Sequence, residues 1–433
     1  MGCDKNRVDS EEMLGLLEGA GFSFSESETD ADVIVINTCC FIDAAKEESI
    51  ETIFAMARMK EYGSCKKLIV TGCLAERYKE EILKEMPEVD AIVGVNELGK
   101  IVSAAALEAE TDVQQVPELK EPAGRVITTA GHYEFLKIAE GCDKRCTYCI
   151  IPYIRGSYRS RPEEALVSEA ERLADFGVKE LILVAQETTV YGTDLYGRKA
   201  LPELLKKLCR IEGLKWIRVL YTYPEEIDDE LLKVMAGEEK IVKYIDMPVQ
   251  HASNNILRKM GRRTTHTELV EKIARIRELV PGVVLRTTLI SGFPGETDGD
   301  HEVLKDFVRN SRFERLGVFT YSREEGTPAA EFAHQIPDAL KAARRDEIMQ
   351  IQEGISAEFL AGNVGKEFDL MIEGYLRENK LYVGRSYMDA PDVDGYFYFK
   401  SRKEFYTGDM VKAVCTGASQ YDLYGELVNE SSK

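Results

Sequence analysis

Three cysteines lie close together in the segment CDKRCTYC, which places Cys142, Cys146 and Cys149 in a C-x3-C-x2-C pattern. Thiolates are the usual ligands of iron–sulfur clusters, and three of them on one short loop can hold three corners of a 4Fe–4S cube. A zinc knuckle is the alternative, but structural zinc is bound by four ligands and no fourth Cys or His lies nearby. The spacing therefore favours a cluster in which one iron keeps an open coordination position.

Three further cysteines are dispersed in the sequence but share a local context. Cys3, Cys39 and Cys73 follow the letters MG, VIVINT and LIVTG, and the last two of these runs look like buried strands. Neighbouring parallel strands would bring the two thiols to the same edge of a sheet. A second iron–sulfur site and a group of ordinary buried cysteines are both compatible with this spacing.

The elements around the dispersed cysteines alternate between strand and helix. Residues 1–107 contain a helical pattern in DSEEMLGLLEGAGF, for which Asp9 or Ser10 is the predicted N-cap, and strand-like runs in VIVINTC, KKLIVTGC and DAIVGVNE. This alternation predicts an N-terminal domain built on a parallel sheet, with functional loops at the carboxyl ends of its strands. Residues 108–130 are polar and acidic and are predicted to be a linker.

The alternation resumes over residues 131–362. Six apolar runs are candidate strands and are separated by amphipathic helical stretches, while residues 338–362 read as one closing helix; the runs are YEFLKIAEG, KELILVAQE, WIRVLYTYP, YIDMPVQH, VVLRTTLISG and RLGVFTYS. Six such units predict a β/α barrel of the TIM type, either complete or partial, and the partial form is the one we expect. The loop that carries Cys142 follows the first of these strands, so it is expected at the mouth of the barrel.

Residues 364–433 change in character. They are rich in Tyr, Phe and Val and have turn signals at Asp394–Gly395 and Gly408–Asp409, which predicts a small antiparallel β domain. Nine Lys or Arg against twelve Asp or Glu make this segment acidic. A domain that holds RNA through its phosphates should be basic, so an acidic domain fits a basic protein partner better.

Composition limits the remaining classes. The chain has 433 residues and a net charge of −20, which weakens a nucleic-acid-binding interpretation and mildly favours a basic partner. No apolar run approaches the roughly 18 residues of a membrane span, and MGCDKNRVDSEE has no apolar signal-peptide core. We therefore expect a cytoplasmic protein without membrane contact, in which the ten cysteines are not paired as structural disulfides.

The cysteine loop, with Tyr148 before its last cysteine, resembles the signature of the radical S-adenosylmethionine (SAM) superfamily. The segments GCDKNRVDSE, INTCCF and VTGC resemble the N-terminal domain of the radical SAM methylthiotransferase family, and the final β domain is similar to its TRAM domain. IIPYIRGSYRSRP, MPVQHASNNILRKMGRR and LRTTLISGFPGET are closest to the RimO type, which modifies a ribosomal protein. The resemblance departs at the start, where family members have a strand before the Gly–Cys motif.

The resemblance implies two 4Fe–4S clusters and SAM as cofactors. One cluster is expected on Cys142, Cys146 and Cys149, where the open iron can chelate the amino and carboxylate groups of SAM, and the second is expected on Cys3, Cys39 and Cys73. No catalytic side chain is expected beyond the cluster ligands, and Cys40, Cys65, Cys209 and Cys415 match no ligand position. The candidate SAM-binding residues are Tyr148, Gln186, Glu187, Gln250, Arg286, Gly292 and Pro294.

Four other residues allow two interpretations each. Arg155, Arg159 and Arg161 could reach the SAM carboxylate or an acidic substrate group, or could form surface salt bridges. His251 is more often a structural histidine than a base.

The implied reaction inserts sulfur and a methyl group at the β-carbon of an aspartate in the twelfth small-subunit ribosomal protein. The implied partners are this basic ribosomal protein, an electron donor such as flavodoxin or ferredoxin, and a sulfur donor of unknown nature; direct RNA binding is not expected. A tRNA adenosine methylthiotransferase is the alternative within the family. A non-catalytic iron–sulfur redox sensor is the alternative from another class.

Overall fold

The computed structural model describes residues 2–107 and 124–428. Most of the linker predicted at residues 108–130 lies outside the described residues. The chain divides into two compact units. The first unit comprises Met1–Thr128, Glu140–Tyr158 and Ser322–Ala330, and the second comprises Thr129–Ala139, Arg159–Tyr321 and Glu331–Lys433.

The first unit is built on three parallel strands, which we label β1 (Val33–Thr38), β2 (Lys67–Gly72) and β3 (Ala91–Val93). The strands lie side by side in chain order, and the runs VIVINT and KLIVTG form them because branched apolar side chains fit a sheet covered on both faces. The helices of this unit are Asp4–Gly19, Asp43–Ala57, Met59–Tyr62, Cys73–Arg77, Lys79–Glu85, Ile101–Ala105 and Ile151–Ile154, with a 3-10 turn at Leu98–Lys100.

Two apolar clusters bury the faces of this sheet. Ile34, Ile36, Leu68 and Val70 belong to one cluster, which also contains Cys40 and Cys65. Ile69 and Val93 belong to the other cluster, together with apolar residues of the first helix. Cys40 and Cys65 therefore pack in the core of the first unit, in the same cluster as Cys73.

The first helix begins earlier than the sequence predicts. It spans Asp4–Gly19 with Cys3 in the N-cap position, so Asp9 and Ser10 lie inside the helix and the predicted caps are wrong. Asp9 is buried and is held by Arg155, a contact that capping preferences do not reveal.

The second unit contains the six predicted strands in one parallel sheet. We label them β4 to β9, and neighbours in the sheet are also neighbours in the sequence; they span Tyr133–Lys137, Glu180–Val184, Trp216–Val219, Ile241–Asp246, Val284–Ser291 and Arg315–Thr320. Among the described residues this sheet has six strands and is not closed, which confirms the predicted partial barrel.

Helices follow the strands of this sheet. They span Glu163–Asp175, Thr193–Tyr196, Leu201–Leu208, Asp229–Gly237, Asn254–Lys259, His266–Leu279, Asp298–Ser311 and Asp338–Ala361, with a 3-10 turn at Pro224–Glu226. Another 3-10 turn, Pro328–Glu331, belongs mainly to the first unit. Two strands of two residues each, Ala139–Glu140 and Arg159–Ser160, flank the cysteine loop. The long helix Asp338–Ala361 corresponds to the predicted closing helix.

The last part of the second unit is a small closed barrel. Its strands, β10 to β14, are Glu367–Leu376, Leu381–Arg385, Phe397–Lys400, Met410–Ala418 and Leu423–Leu427. All neighbouring pairs are antiparallel except β12 and β14, which pair in parallel. Phe397 and Phe399 point into the barrel core while Tyr398 is half-buried, as the alternation of the run YFYF predicts.

None of the helices in residues 2–107 and 124–428 has the length and apolar character needed to cross a lipid bilayer.

Candidate active site

The loop cysteines, Cys142, Cys146 and Cys149, lie in a segment whose two ends are joined. Cys142 N–H donates to Gly156 O at 3.1 Å, which ties the start of the loop to its end. Gly141 has φ +80, and a Cβ there would lie 2.2 Å from Ser157 O and 2.6 Å from Gly156 O. Only glycine fits this position, because the backbone is left-handed and two carbonyls approach it closely.

The three loop thiols are close enough to influence one another. Cys142 and Cys146 are buried and Cys149 is half-buried. Burial raises the pKa of the Cys149 thiol, and the neighbouring Cys146 and Cys142 raise it further. Cys149 N–H also donates to Cys146 O at 3.0 Å, so the last two cysteines share one turn.

The dispersed cysteines, Cys3, Cys39 and Cys73, are brought together by three elements of the first unit. Thr38 pairs with Gly72 in the register of β1 and β2, so Cys39 and Cys73 follow neighbouring strands at the same level of the sheet. Cys3 precedes the first helix, and Asn6 in that helix joins it to Cys73. The Asn6 Oδ1 atom accepts from the Cys3 thiol at 3.9 Å and from the Cys73 thiol at 3.8 Å.

Burial dominates the electrostatics of the dispersed thiols. It raises the pKa of Cys73 to about 12, although the nearby Arg155 opposes this shift. It also raises the pKa of Cys39, to which the charge of Cys3 adds while Arg155 opposes it. The three thiols thus share one electrostatic environment that includes Arg155.

The two groups of thiols match the donors of iron–sulfur clusters. None of the ten cysteines forms a disulfide bond, so both groups could serve as ligands. Within the described ranges, no three Cys, His, Asp or Glu side chains surround a point as a single metal ion requires. A 4Fe–4S cube spreads its thiolates around a larger body, and each group supplies three of the four that would complete it.

Three predicted SAM-binding residues of the second unit follow the ends of two parallel strands. Gln186 and Glu187 follow β5, and Gln250 follows β7. Gln250 has φ +69 and bridges to β8, because its N–H donates to Thr288 O and its C=O accepts from Ile290 N–H. The Glu187 carboxylate is buried and accepts from the backbone N–H and the hydroxyl of Thr189.

Gly292 and Pro294 form a tight turn after β8. A Cβ at Gly292 would lie 2.3 Å from Lys341 Cγ, and the φ of this residue is +74. The turn is anchored by Glu296, whose carboxylate accepts from the Gly292 N–H at 2.8 Å and from Arg344 at 2.9 Å. Sequence reasoning missed Glu296, although an acid directly after Gly–Phe–Pro–Gly was the available signal.

The remaining sequence candidates have different surroundings. Arg286 donates to Asp246 at 2.8 Å, and Tyr148 lies in the first unit, apart in the chain from the other six candidates. His251 is fully buried and its Nδ1 accepts from Ser253 N–H, which suits a structural histidine. Arg161 pairs with Glu169, whereas Arg155 is buried, so a surface salt bridge is the wrong interpretation for Arg155.

Three family descriptions match the chain. Residues 1–94 match "Uncharacterized protein family UPF0004", residues 136–308 match the "Radical SAM superfamily", and residues 364–428 match the "TRAM domain". The superfamily match implies a 4Fe–4S cluster and SAM as cofactors.

Solved structures with a similar fold are distant in sequence. The radical SAM methyltransferase TsrM from Kitasatospora setae, in its form with cobalamin and a [4Fe-4S] cluster, has a TM-score of 0.55 and 15% identity over 76% of this chain and 74% of that chain. The same enzyme with tryptophan and aza-SAM gives a TM-score of 0.57 and 13% identity over 82% and 87%. This likeness establishes the fold alone.

Much closer relatives share the whole domain arrangement. The ribosomal protein uS12 methylthiotransferase RimO of Lachnoclostridium phytofermentans is 56% identical over 98% of this chain and 98% of its own length. The RimO proteins of Acetivibrio thermocellus and Clostridium perfringens are 51% and 48% identical, each over 100% of this chain and 98% of their own length. The chain therefore belongs to the RimO family of ribosomal protein uS12 methylthiotransferases.

Proposed function

We propose that this chain places a methylthio group on the β-carbon of an aspartate in ribosomal protein uS12, with one 4Fe–4S cluster on the loop cysteines and a second on the dispersed cysteines. The names of its full-length relatives support uS12 as the substrate. The C–H bond at that carbon is too weakly acidic for a side-chain base, so radical chemistry is required. The bound cluster and SAM together supply that chemistry.

One observation carries the two-cluster proposal. The first unit contains two separate groups of three cysteines without disulfide bonds, and each group shows mutual electrostatic influence. The loop cysteines share one segment, whereas the dispersed cysteines come from the start of a helix and the ends of two strands. Since the family resemblance gives each cluster three cysteine ligands, each cluster would keep one open iron.

The residues of the second unit would hold SAM at the carboxyl ends of the strands. Gly292 and Pro294 allow close approach of a nucleoside to the backbone, and Glu296 holds that turn in place. Gln186 and Glu187 would receive the amino group of SAM. Gln250 fixes its own position through the backbone bridge to β8, and Arg286 would contribute positive charge. Tyr148 stays a proposed SAM contact because it directly precedes the last loop cysteine.

Mass spectrometry of a strain that lacks the gene tests the proposed substrate. We expect uS12 to lose the mass of one methylthio group while tRNA adenosine keeps its modifications, and the wild-type gene should restore uS12. Loss of a tRNA modification with unchanged uS12 would instead establish the tRNA-modifying alternative. Unchanged uS12 and tRNA, with no cleavage of SAM by the reduced protein, would favour the redox-sensor alternative.

Iron content tests the second cluster separately. After anaerobic reconstitution the wild type should hold about eight irons per chain, because each cube contains four. Replacing Cys142, Cys146 and Cys149 together by Ala should leave about half of the iron. A wild type that saturates near four irons, or an iron-free triple variant, would contradict the two-cluster proposal.

A further inference from the structure

Arg155 joins the two groups of cysteines through one side chain. Its Nη1 atom donates to Glu140 Oε2 at 2.9 Å, and Glu140 directly precedes the glycine that opens the cysteine loop. Its Nη2 atom lies 2.6 Å from Asn6 Oδ1, 3.0 Å from Asp9 Oδ2 and 3.5 Å from Cys73 Sγ. The guanidinium therefore contacts the surroundings of both groups within the first unit.

The backbone of Arg155 also belongs to the cysteine loop. Its N–H donates to Ile151 O at 2.8 Å and closes the short helix Ile151–Ile154. The next residue, Gly156, provides the carbonyl that accepts from Cys142 N–H. Arg155 ends the short helix of the cysteine loop and directly precedes Gly156. A shift of its side chain would therefore be transmitted to the loop.

The charges around Arg155 do not cancel once a cluster is present. Arg155 is 1% exposed, and the carboxylates of Asp9 and Glu140 already outnumber its single positive charge. Coordinated thiolates at Cys73 and Cys3 would add negative charge in a region that excludes water. Without the guanidinium, a cluster there would face two carboxylates and would accept an electron less readily.

The Nη2 atom of Arg155 has more acceptors than hydrogens. Nη2 carries two hydrogens and faces three acceptors, of which Cys73 Sγ is the most distant. A thiolate that bears cluster charge is a better acceptor than a thiol. The hydrogen bond from Arg155 Nη2 to Cys73 Sγ should therefore strengthen when the cluster is bound. Hydrogen bonds to cluster sulfurs are among the features that set reduction potentials.

We propose that Arg155 is a positioning residue for the cluster on the dispersed cysteines, which raises the reduction potential of that cluster and couples its placement to the cysteine loop. The inference rests on the proposed second cluster. It assigns to Arg155 neither SAM binding nor direct contact with the substrate.

The test uses the full chain in which Cys142, Cys146 and Cys149 are replaced by Ala, so that only the dispersed cysteines bind iron. Arg155→Gln removes the positive charge. Arg155→Lys keeps the charge but loses the two guanidinium nitrogens that reach separate acceptors. In a potentiometric titration followed by electron paramagnetic resonance, Arg155→Gln should shift the midpoint to lower potential, while Arg155→Lys should stay near the parent. Both variants should lose iron to a chelator faster, because removing a partner of a metal ligand typically weakens metal binding about 10- to 100-fold.

Arg315→Lys is the matched control, because Arg315 is also buried and ion-paired but lies in the second unit with Asp389. It should change neither the potential nor the rate of iron loss. If the parent binds its cluster and Arg155→Gln leaves the reduction potential unchanged, this inference is overturned but the second cluster is not. If Arg155→Gln fails to fold, iron loss from Arg155→Lys at the parental rate would overturn the inference in the same way. An iron-free parent would overturn the second cluster and this inference together.

Discussion

The six candidate ligand cysteines are chemically identical, but their positions in the chain differ. Loss of one loop cysteine disturbs a single segment, whereas each dispersed cysteine belongs to a different element. We expect Cys142→Ala to abolish cleavage of SAM to 5′-deoxyadenosine. Cys73→Ala should spare that cleavage and abolish sulfur insertion, because the loop cysteines remain intact. Chromatography of 5′-deoxyadenosine measures SAM cleavage, and mass spectrometry of uS12 measures sulfur insertion. Equal loss of cleavage in both variants would contradict separate roles for the two groups of cysteines.

Gly141 limits what the cysteine loop tolerates. We expect Gly141→Ala to lose the iron bound by the loop cysteines and to keep the rest, because a Cβ would lie 2.2 Å from the Ser157 carbonyl and 2.6 Å from the Gly156 carbonyl that closes the loop. Gly177→Ala is the matched control, since Gly177 also has positive φ, at +110, but an added Cβ meets nothing within 4 Å. That control should cost about 1 kcal/mol of stability from backbone strain and keep all iron. Full iron content in Gly141→Ala would show that the loop can relax.

At the scale of elements, the turn after β8 depends on the helix that follows it. The helix Asp298–Ser311 begins with a capping box in which the Thr297 hydroxyl accepts from Asp300 N–H, and the Asp300 carboxylate accepts from Thr297. Burial would raise the pKa of Asp300, but hydrogen bonds from Ser253 and Thr297 lower it to about 2. Asp300 is thus ionised at neutral pH and serves as a strong acceptor at the helix N-terminus.

We expect Thr297→Ala to cost about 1 kcal/mol of unfolding free energy, the usual loss for an N-cap. It should also weaken SAM binding, because Thr297 directly follows Glu296, which anchors Gly292. Thr265→Ala is the control, since Thr265 forms the same capping box on the helix His266–Leu279. The control should lose similar stability with normal SAM affinity, measured by denaturant unfolding and calorimetry. Equal SAM affinity in the two variants would contradict the anchoring role.

At the scale of the molecule, buried ion pairs join the C-terminal barrel to the parallel sheet within the second unit. Glu180 at the start of β5 contacts Arg385 at 2.5 Å and Arg218 at 2.8 Å, and none of these side chains is exposed to solvent. Burial would raise the pKa of Glu180, but the two arginines hold it below its usual range. Tyr244 and Asp394 add a hydrogen bond of 2.6 Å between the same parts.

We expect Arg385→Ala to lower the unfolding free energy by about 3 to 5 kcal/mol, the usual cost of leaving a buried charge without its partner. Lys412→Ala is the control because Lys412 pairs with Asp369 on the exposed surface of the same barrel, and it should cost at most about 1 kcal/mol. Urea unfolding measures both values. A cost for Arg385→Ala no greater than for the control would mean that the buried pairs do not hold the barrel in place.

These ion pairs require that partner binding be measured on the full chain, because removing residues 364–433 would leave Glu180 and Arg218 without Arg385. The acidic C-terminal segment predicts binding to uS12 that weakens as salt increases, since salt screens attraction between opposite charges. Titrations against uS12 and tRNA at two salt concentrations measure this. Micromolar tRNA binding with a steep salt dependence would contradict the substrate assignment.

Much of this protein was readable from the sequence because the signals are local. The spacing of Cys142, Cys146 and Cys149 depends on one loop, and the six strands of the partial barrel each carry their own apolar run. The alternation of Phe397, Tyr398 and Phe399 predicted which of them enter the barrel core. Periodicity and spacing are properties of short segments, so they can be interpreted without knowledge of distant contacts.

The tertiary structure decided what depends on pairing between distant segments. The register of β1 and β2 places Cys39 and Cys73 at the same level after neighbouring strands, which spacing alone left open. The start of the first helix at Asp4, the burial of Arg155 beside Asp9 and Cys73, and the partnership of Glu180 with Arg385 all join residues far apart in the chain. Charged residues carry no periodic signal that names their partners, so folding of the whole unit was needed to show which charges are buried and what neutralises them.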